Sequence, residues 1–128
     1  MKVLSSYKKG RLTLFLQGEL DHHEAAAALR SITRILDDYL PRECVIDMGS
    51  LTFMDSSGIA LILKVHRLMG ETGGRAWVEN AARQPLKVID ASGIDRLMKI
   101  TAAAAETAAA EYRYASPGRN MPRRRKGR

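Results

Sequence analysis

The 128-residue sequence predicts an α/β fold: a mixed, mostly parallel sheet opened by an antiparallel hairpin and packed with helices. Three observations carry that reading. Short runs of strand formers alternate with longer stretches whose apolar residues recur at helical spacing. Those helical stretches are long enough to serve as crossovers between neighbouring parallel strands. The gap after the first strand is too short for a crossover and contains glycine, which suits a hairpin turn. The length accommodates one domain with a core of its own.

Residues 3–7 and 12–16 are the hairpin strands, separated by Lys8-Lys9-Gly10-Arg11. Asp21 with Glu24 three residues later is a helix-start pattern. Behind it Ala28, Leu29, Ile32, Ile35, Leu36 and Tyr39 form an apolar stripe that Pro41 closes. Cys44-Val45-Ile46 reads as a short strand with Asp47 near its end. A loop through Met48-Gly49-Ser50-Leu51 then leads to Thr52-Phe53-Met54-Asp55-Ser56-Ser57-Gly58. Residues 58–69 are helical in pattern, with Leu61, Ile62, Val65, Leu68 and Met69 on one broad face and glycines at the exit. Ala76-Trp77-Val78 is the next strand, and Pro85 fits the first turn of a helix ended by Ser92-Gly93. A loop and short strand over 94–100 precede an alanine-rich helix over 102–112, high in propensity but poor in bulk to anchor it.

Charge divides the chain. The net charge is +7, yet residues 1–112 hold 14 Lys/Arg against 14 Asp/Glu, and the seven other basic residues all fall in 113–128. A neutral body, residues 1–112, and a basic, disordered tail, residues 113–128, are the expected domain organisation. A body without a basic, aromatic-interleaved surface argues against direct nucleic-acid binding. The first residues lack a signal peptide's apolar core and no run approaches membrane-spanning length, so a cytoplasmic protein with no membrane partner is expected. Cys44, the single cysteine, reads as a buried strand residue.

Asp55-Ser56-Ser57-Gly58 sets two hydroxyls and a carboxylate where a strand gives way to an apolar helix. A serine there can cap the helix, for about 1 kcal/mol. A helix start also holds an anion, because its first N–H groups are unsatisfied and partly positive. In a parallel sheet the carboxyl ends of adjacent strands share an edge, so Asp21, Asp47 and Asp55 are expected to converge near Ser57.

The set is poor as an enzyme. A serine nucleophile needs an oriented base; His22 and His23 are the candidates, the G-x-S-x-G elbow is missing, and His66 reads as a boundary residue of the second helix. Histidine and cysteine spacing gives no metal site, and no P-loop is present, so neither metal nor cofactor is expected. Asp21 with Asp55 suits a magnesium ion no better than helix capping. A phosphorylation switch makes better physical sense. Phosphate on Ser57 adds about −1.5 to −2 charges, which a helix N-terminus tolerates and a fitted partner does not. Ile59 and Leu63, an i,i+4 pair bordered by Lys64 and Arg67, are docking material beside it.

GELDHH over residues 18–23 and LTFMDSSGIALIL over 51–63 closely resemble the anti-anti-sigma factors, or anti-sigma factor antagonists, of the STAS domain family. The likeness continues through Gly73-Gly74, Pro85-Leu86-Lys87 and ASGIDRLMKI over 91–100, covering about residues 2 to 112. It implies a STAS-type domain that acts as substrate and ligand without catalysing a reaction. By that likeness the unphosphorylated chain binds an anti-sigma factor with serine kinase activity and releases the sigma factor. Phosphorylation of Ser57 ends the interaction, and a metal-dependent serine phosphatase restores it. Asp21 and Asp55 are then the acidic surround, Ser56 supports the loop, and Gly58 permits close approach by the partner. With His22, Ile59 and Leu63 they make up the expected partner-binding set. The alternative is a STAS-type scaffold or regulator in another partner-switching pathway, such as stress response, that is not phosphorylated. The arginine-rich tail beyond about Ser116 departs from the family pattern.

Overall fold

A computed structural model describes residues 1–104. Strand β1 (Lys2–Lys8) pairs antiparallel with β2 (Arg11–Leu20) across a turn in which Lys9 and Gly10 have φ of 51° and 85°. Positive φ at both central positions marks a type I′ turn, whose twist matches that of the flanking strands. Helix α1 (His22–Tyr39) follows, then β3 (Glu43–Met54), α2 (Ser56–Glu71), β4 (Arg75–Ala81) and α3 (Arg83–Ser92). A 3-10 turn (Ile94–Arg96) leads into β5 (Ile100–Ala102). The strands lie in the order β1-β2-β3-β4-β5, antiparallel at the first pair and parallel at the others. This is the mixed sheet with an opening hairpin that the pattern predicts.

Period-two alternation builds the core. Leu12, Leu14 and Leu16 of β2, Cys44 and Ile46 of β3, and Val78 of β4 are fully buried. They cluster with Ile32 and Leu36 of α1 and with Leu61, Ile62, Val65 and Met69 of α2. Burying a side chain of this size stabilises by about 1.5–3 kcal/mol. Thr13, Phe15 and Gln17, which alternate with the buried leucines, are half-buried. Burial pushes the Cys44 thiol up to about 12. Helix α1 ends as its sequence dictates: Leu40 takes the left-handed conformation, its N–H donates to the Leu36 carbonyl, and Pro41 follows.

Two expectations are corrected. The loop expected over 48–51 is strand, because β3 runs unbroken to Met54 and stays paired with β2 as far as Leu20↔Met54. Register shifts between Phe15 and Gln17 and between Gly18 and Glu19 absorb the unequal spacing, and Gly18 has φ 102°. The C-terminal helix does not begin at Ala102, which is the last residue of β5; its Ala103 neighbour donates its N–H to the Ala81 carbonyl at 2.9 Å. The rest of that helix and the basic tail lie outside the described residues. No helix among the described residues is long and apolar enough to cross a membrane.

Candidate functional site

Two parallel strands end side by side and each hands over to a helix through an aspartate. Because Leu20 and Met54 are register partners, Asp21 and Asp55 occupy equivalent places on the sheet edge. Asp21 caps α1: its Oδ1 accepts from the N–H groups of His23 at 3.0 Å and Glu24 at 3.1 Å. Asp55 caps α2, with Oδ1 accepting from the Ser57 N–H at 2.8 Å. Its other oxygen, Oδ2, accepts from the His22 N–H at 3.2 Å, the first residue of α1. One carboxylate thus joins the starts of two helices, where both dipoles present their positive ends. The Asp55 N–H donates to the Leu20 carbonyl at 3.2 Å and closes the junction.

Aspartate, not serine, therefore supplies the cap. Ser56 is the exposed first residue of α2, and Ser57, half-buried, follows it. Among the described residues no hydrogen bond involves the Ser57 hydroxyl, so that group stands unused at the mouth of the junction.

Gly58 is buried. A Cβ there would run into Cγ and Sδ of Met54 and lie 3.3 Å from Leu20 Cδ2. The missing side chain lets α2 settle on the strand ends of its own sheet. Ile59 is half-buried and packs against the core, while Leu63, one turn on, is 36 % exposed.

Asp47 does not join the site. It sits inside β3, seven residues before Met54 and roughly 20 Å away at strand rise. Its Oδ1 accepts from the Gly49 N–H at 2.9 Å and from Asn80 Nδ2 at 3.3 Å. The convergence expected of three aspartates reduces to two, because β3 continues past the point where a loop was expected. Of the histidines, His22 reaches the junction through its backbone N–H. The rings of His22 and His23 lean on each other, centroids 3.9 Å apart, and both residues are exposed. His66, about 13 Å along α2 from Ser57 by helical rise, lines a cavity of about 440 Å³ beside Arg75 and Trp77. Glu43 lies there as well; hydrogen bonds from Arg11 at 2.9 Å and Arg75 at 2.6 Å hold its carboxyl below the usual range. Among the described residues no three His, Cys, Asp or Glu side chains are grouped to hold a metal ion.

Sequence reasoning missed two participants. Gln84, in the first turn of α3, accepts from the Met54 N–H at 2.7 Å and donates to the Met54 carbonyl at 3.1 Å. Phe53, the last residue but one of β3 before the junction, is 39 % exposed. An exposed phenylalanine in a TFMDSS run is a legible signal; a glutamine before a proline carries none.

The fold is thus a small mixed sheet that gathers two helix starts at one edge, with a serine hydroxyl there that makes no hydrogen bond among the described residues. The STAS domain model matches residues 5–107, and the chain belongs to that family. It is 28% identical over 100 residues to an anti-sigma F factor antagonist of Paenibacillus polymyxa, covering 78% of this chain and 86% of the relative. Its fold is similar to that of the anti-sigma factor antagonist SpoIIAA in its unphosphorylated form: TM-score 0.67 and 26% identity, over 90% of this chain and 99% of that one. The Bacillus cell fate determinant SpoIIAA in its phosphorylated form gives a TM-score of 0.61 at 25% identity, over 85% and 98% of the two chains.

Proposed function

We propose that this chain is an anti-sigma factor antagonist: unmodified, it binds a kinase-type anti-sigma factor in the cytoplasm and so frees a sigma factor. Phosphorylation of Ser57 by that kinase ends the interaction, and a metal-dependent phosphatase renews it. The chain itself is ligand and substrate. The observation that carries the reading is the idle Ser57 hydroxyl beside two aspartates that already cap their helices. The relatives named as anti-sigma F factor antagonists support it, as does the fold shared with a protein known in phosphorylated and unphosphorylated forms. A sporulation pathway is the setting those relatives suggest.

The docking face is Asp21, His22, Asp55 and Ser56 around the hydroxyl, with Ile59, Leu63 and Phe53 as its apolar flank. Gly58 contributes from beneath by letting α2 start close to the sheet. A phosphate on Ser57 brings about two negative charges and added bulk into that face. Misfit of this kind costs several kcal/mol at an interface, and about 1.4 kcal/mol is already tenfold in affinity.

Incubation with the kinase-type anti-sigma factor and ATP, followed by phosphosite mapping and a binding titration, tests the reading. Modification at Ser57 with at least about tenfold weaker binding is expected, and Ser57→Asp should weaken binding similarly. Undiminished phosphorylation of Ser57→Ala refutes it.

A further inference from the structure

The end of β3 has a one-sided problem. Strand β4 pairs with β3 only from Glu43↔Arg75 to Asp47↔Glu79, so the later residues of β3 lose their neighbour on that side. On the other side β2 continues to Leu20↔Met54, and the Asp55 N–H points that way, to the Leu20 carbonyl. Successive residues of a strand point their polar groups to opposite sides. Met54 therefore turns its N–H and C=O toward the side that β4 has left, in a part-buried setting where an unmet backbone group is costly. Both are met by one side chain. Gln84 accepts from the Met54 N–H at 2.7 Å and donates to its carbonyl at 3.1 Å. A primary amide is the side chain that offers an acceptor and a donor side by side, as a neighbouring strand would.

We propose that Gln84 is a positioning residue for the switch: by taking the place of a strand at Met54 it sets the backbone that presents Asp55, Ser56 and Ser57. The inference rests on the proposed role of Ser57 and adds α3 to the elements that control it. Met54 is the residue immediately before the helix cap, and its side chain also lies under Gly58. Movement at Met54 is therefore passed both to the Asp55 carboxylate and to the first turn of α2. Pro85 next in the chain, buried in the same turn of α3, stiffens the backbone that carries Gln84.

Amide hydrogen exchange and backbone NMR shifts of the full chain test this directly. Gln84→Leu should speed exchange at Met54 by about tenfold or more, with Ile46 in the core of the same strand unchanged, and should shift the amides of Asp55, Ser56 and Ser57. Gln84→Glu supplies the discriminating readout. Ionised at neutral pH, its carboxylate still accepts from the Met54 N–H but cannot donate to the Met54 carbonyl, so the amide of Asp55, joined to that carbonyl, should shift while Met54 stays protected. Protonated below about pH 4, it donates again, and the Asp55 shift relative to wild type at the same pH should disappear. A structural residue with no pairing role would show no such recovery. With the kinase partner, Gln84→Leu should raise KM for phosphorylation of Ser57 with kcat little changed. Unchanged Met54 exchange and unchanged Ser57 shifts in Gln84→Leu overturn the inference. A wild-type chain left unmodified at Ser57 overturns the parent reading instead, and the exchange data still decide the clamp.

Discussion

Removal of the Asp55 carboxylate tests whether one residue ties the two helix starts together. Asp55→Ala takes away the cap on α2, the 2.8 Å bond from the Ser57 N–H, worth about 1 kcal/mol. It also takes away the 3.2 Å bond from the His22 N–H, an exposed charge-assisted contact at the start of α1 that adds about 1 kcal/mol more. The expected loss is about 2 kcal/mol, which for a domain near 100 residues lowers the melting temperature by about 8–12 °C. Asp21→Ala, which leaves only α1 uncapped, should cost about half as much. Asp55→Asn keeps one acceptor oxygen and loses both the charge and the second acceptor, so it belongs between wild type and alanine. Urea denaturation, read as a shift of midpoint at constant slope, measures all three. If Asp55→Ala costs no more than Asp21→Ala, or Asp55→Asn costs as much as alanine, the bridging role is refuted.

Gly58→Ala should destabilise by about 1–2 kcal/mol in thermal melts: overpacking against buried Met54 and Leu20 exceeds the gain in helix propensity. A neutral or stabilising result would mean that Met54 moves aside freely. Glu43 is held below its ordinary value by Arg11 first and by Arg75, so its contribution is complete above about pH 4.5, the unfolded value, and is lost as pH falls through the lower folded value. Glu43→Gln should flatten that acid-side loss in stability measured against pH, and an unaltered profile would contradict the pairing. Burial raises the Cys44 thiol to about 12, above its unfolded value near 9.0, so its contribution falls as pH rises from about 9 toward 12. At neutral pH Cys44 should react with a thiol reagent only at the rate of unfolding; rapid modification of the native chain would contradict its burial.

The parts of this fold that were legible are those whose signals are local. Asp21 and Glu24 mark the start of α1, Lys9-Gly10 the turn, and Pro41 the end of the helix, because each acts within a few residues of itself. The second half of β3 was not legible. Met48, Leu51 and Met54 are its buried residues, spaced by three because register shifts displace the alternation, and Gly49-Ser50 has the composition of a turn. Placing that segment as a loop also brought Asp47 to the site, so one local error produced a second, distant one. The cap was ambiguous for a different reason. Aspartate and serine are ranked alike as caps, and only geometry decides between three adjacent candidates. Gln84 could not be read at all, since its function depends on where β4 stops beside β3.

The capping arrangement explains how a modification at Ser57 can act on recognition without acting on the fold. The positive ends of α1 and α2 are already answered by Asp21 and Asp55, whose oxygens take the N–H groups of His23, Glu24, Ser57 and His22. A further anion at Ser57 meets the same helix dipoles, which favour it by about 0.3–1 kcal/mol. It also meets the nearby carboxylates, which oppose it. The two effects partly cancel within the chain. No such cancellation is available to a partner shaped to the neutral hydroxyl, which must bury the new charge or lose contact. Had Ser57 itself been the cap, phosphorylation would have displaced an intramolecular bond and disturbed the helix start. With Asp55 holding that place, the proposed modification would alter the hydroxyl a partner meets and leave the capping carboxylate in its bonds.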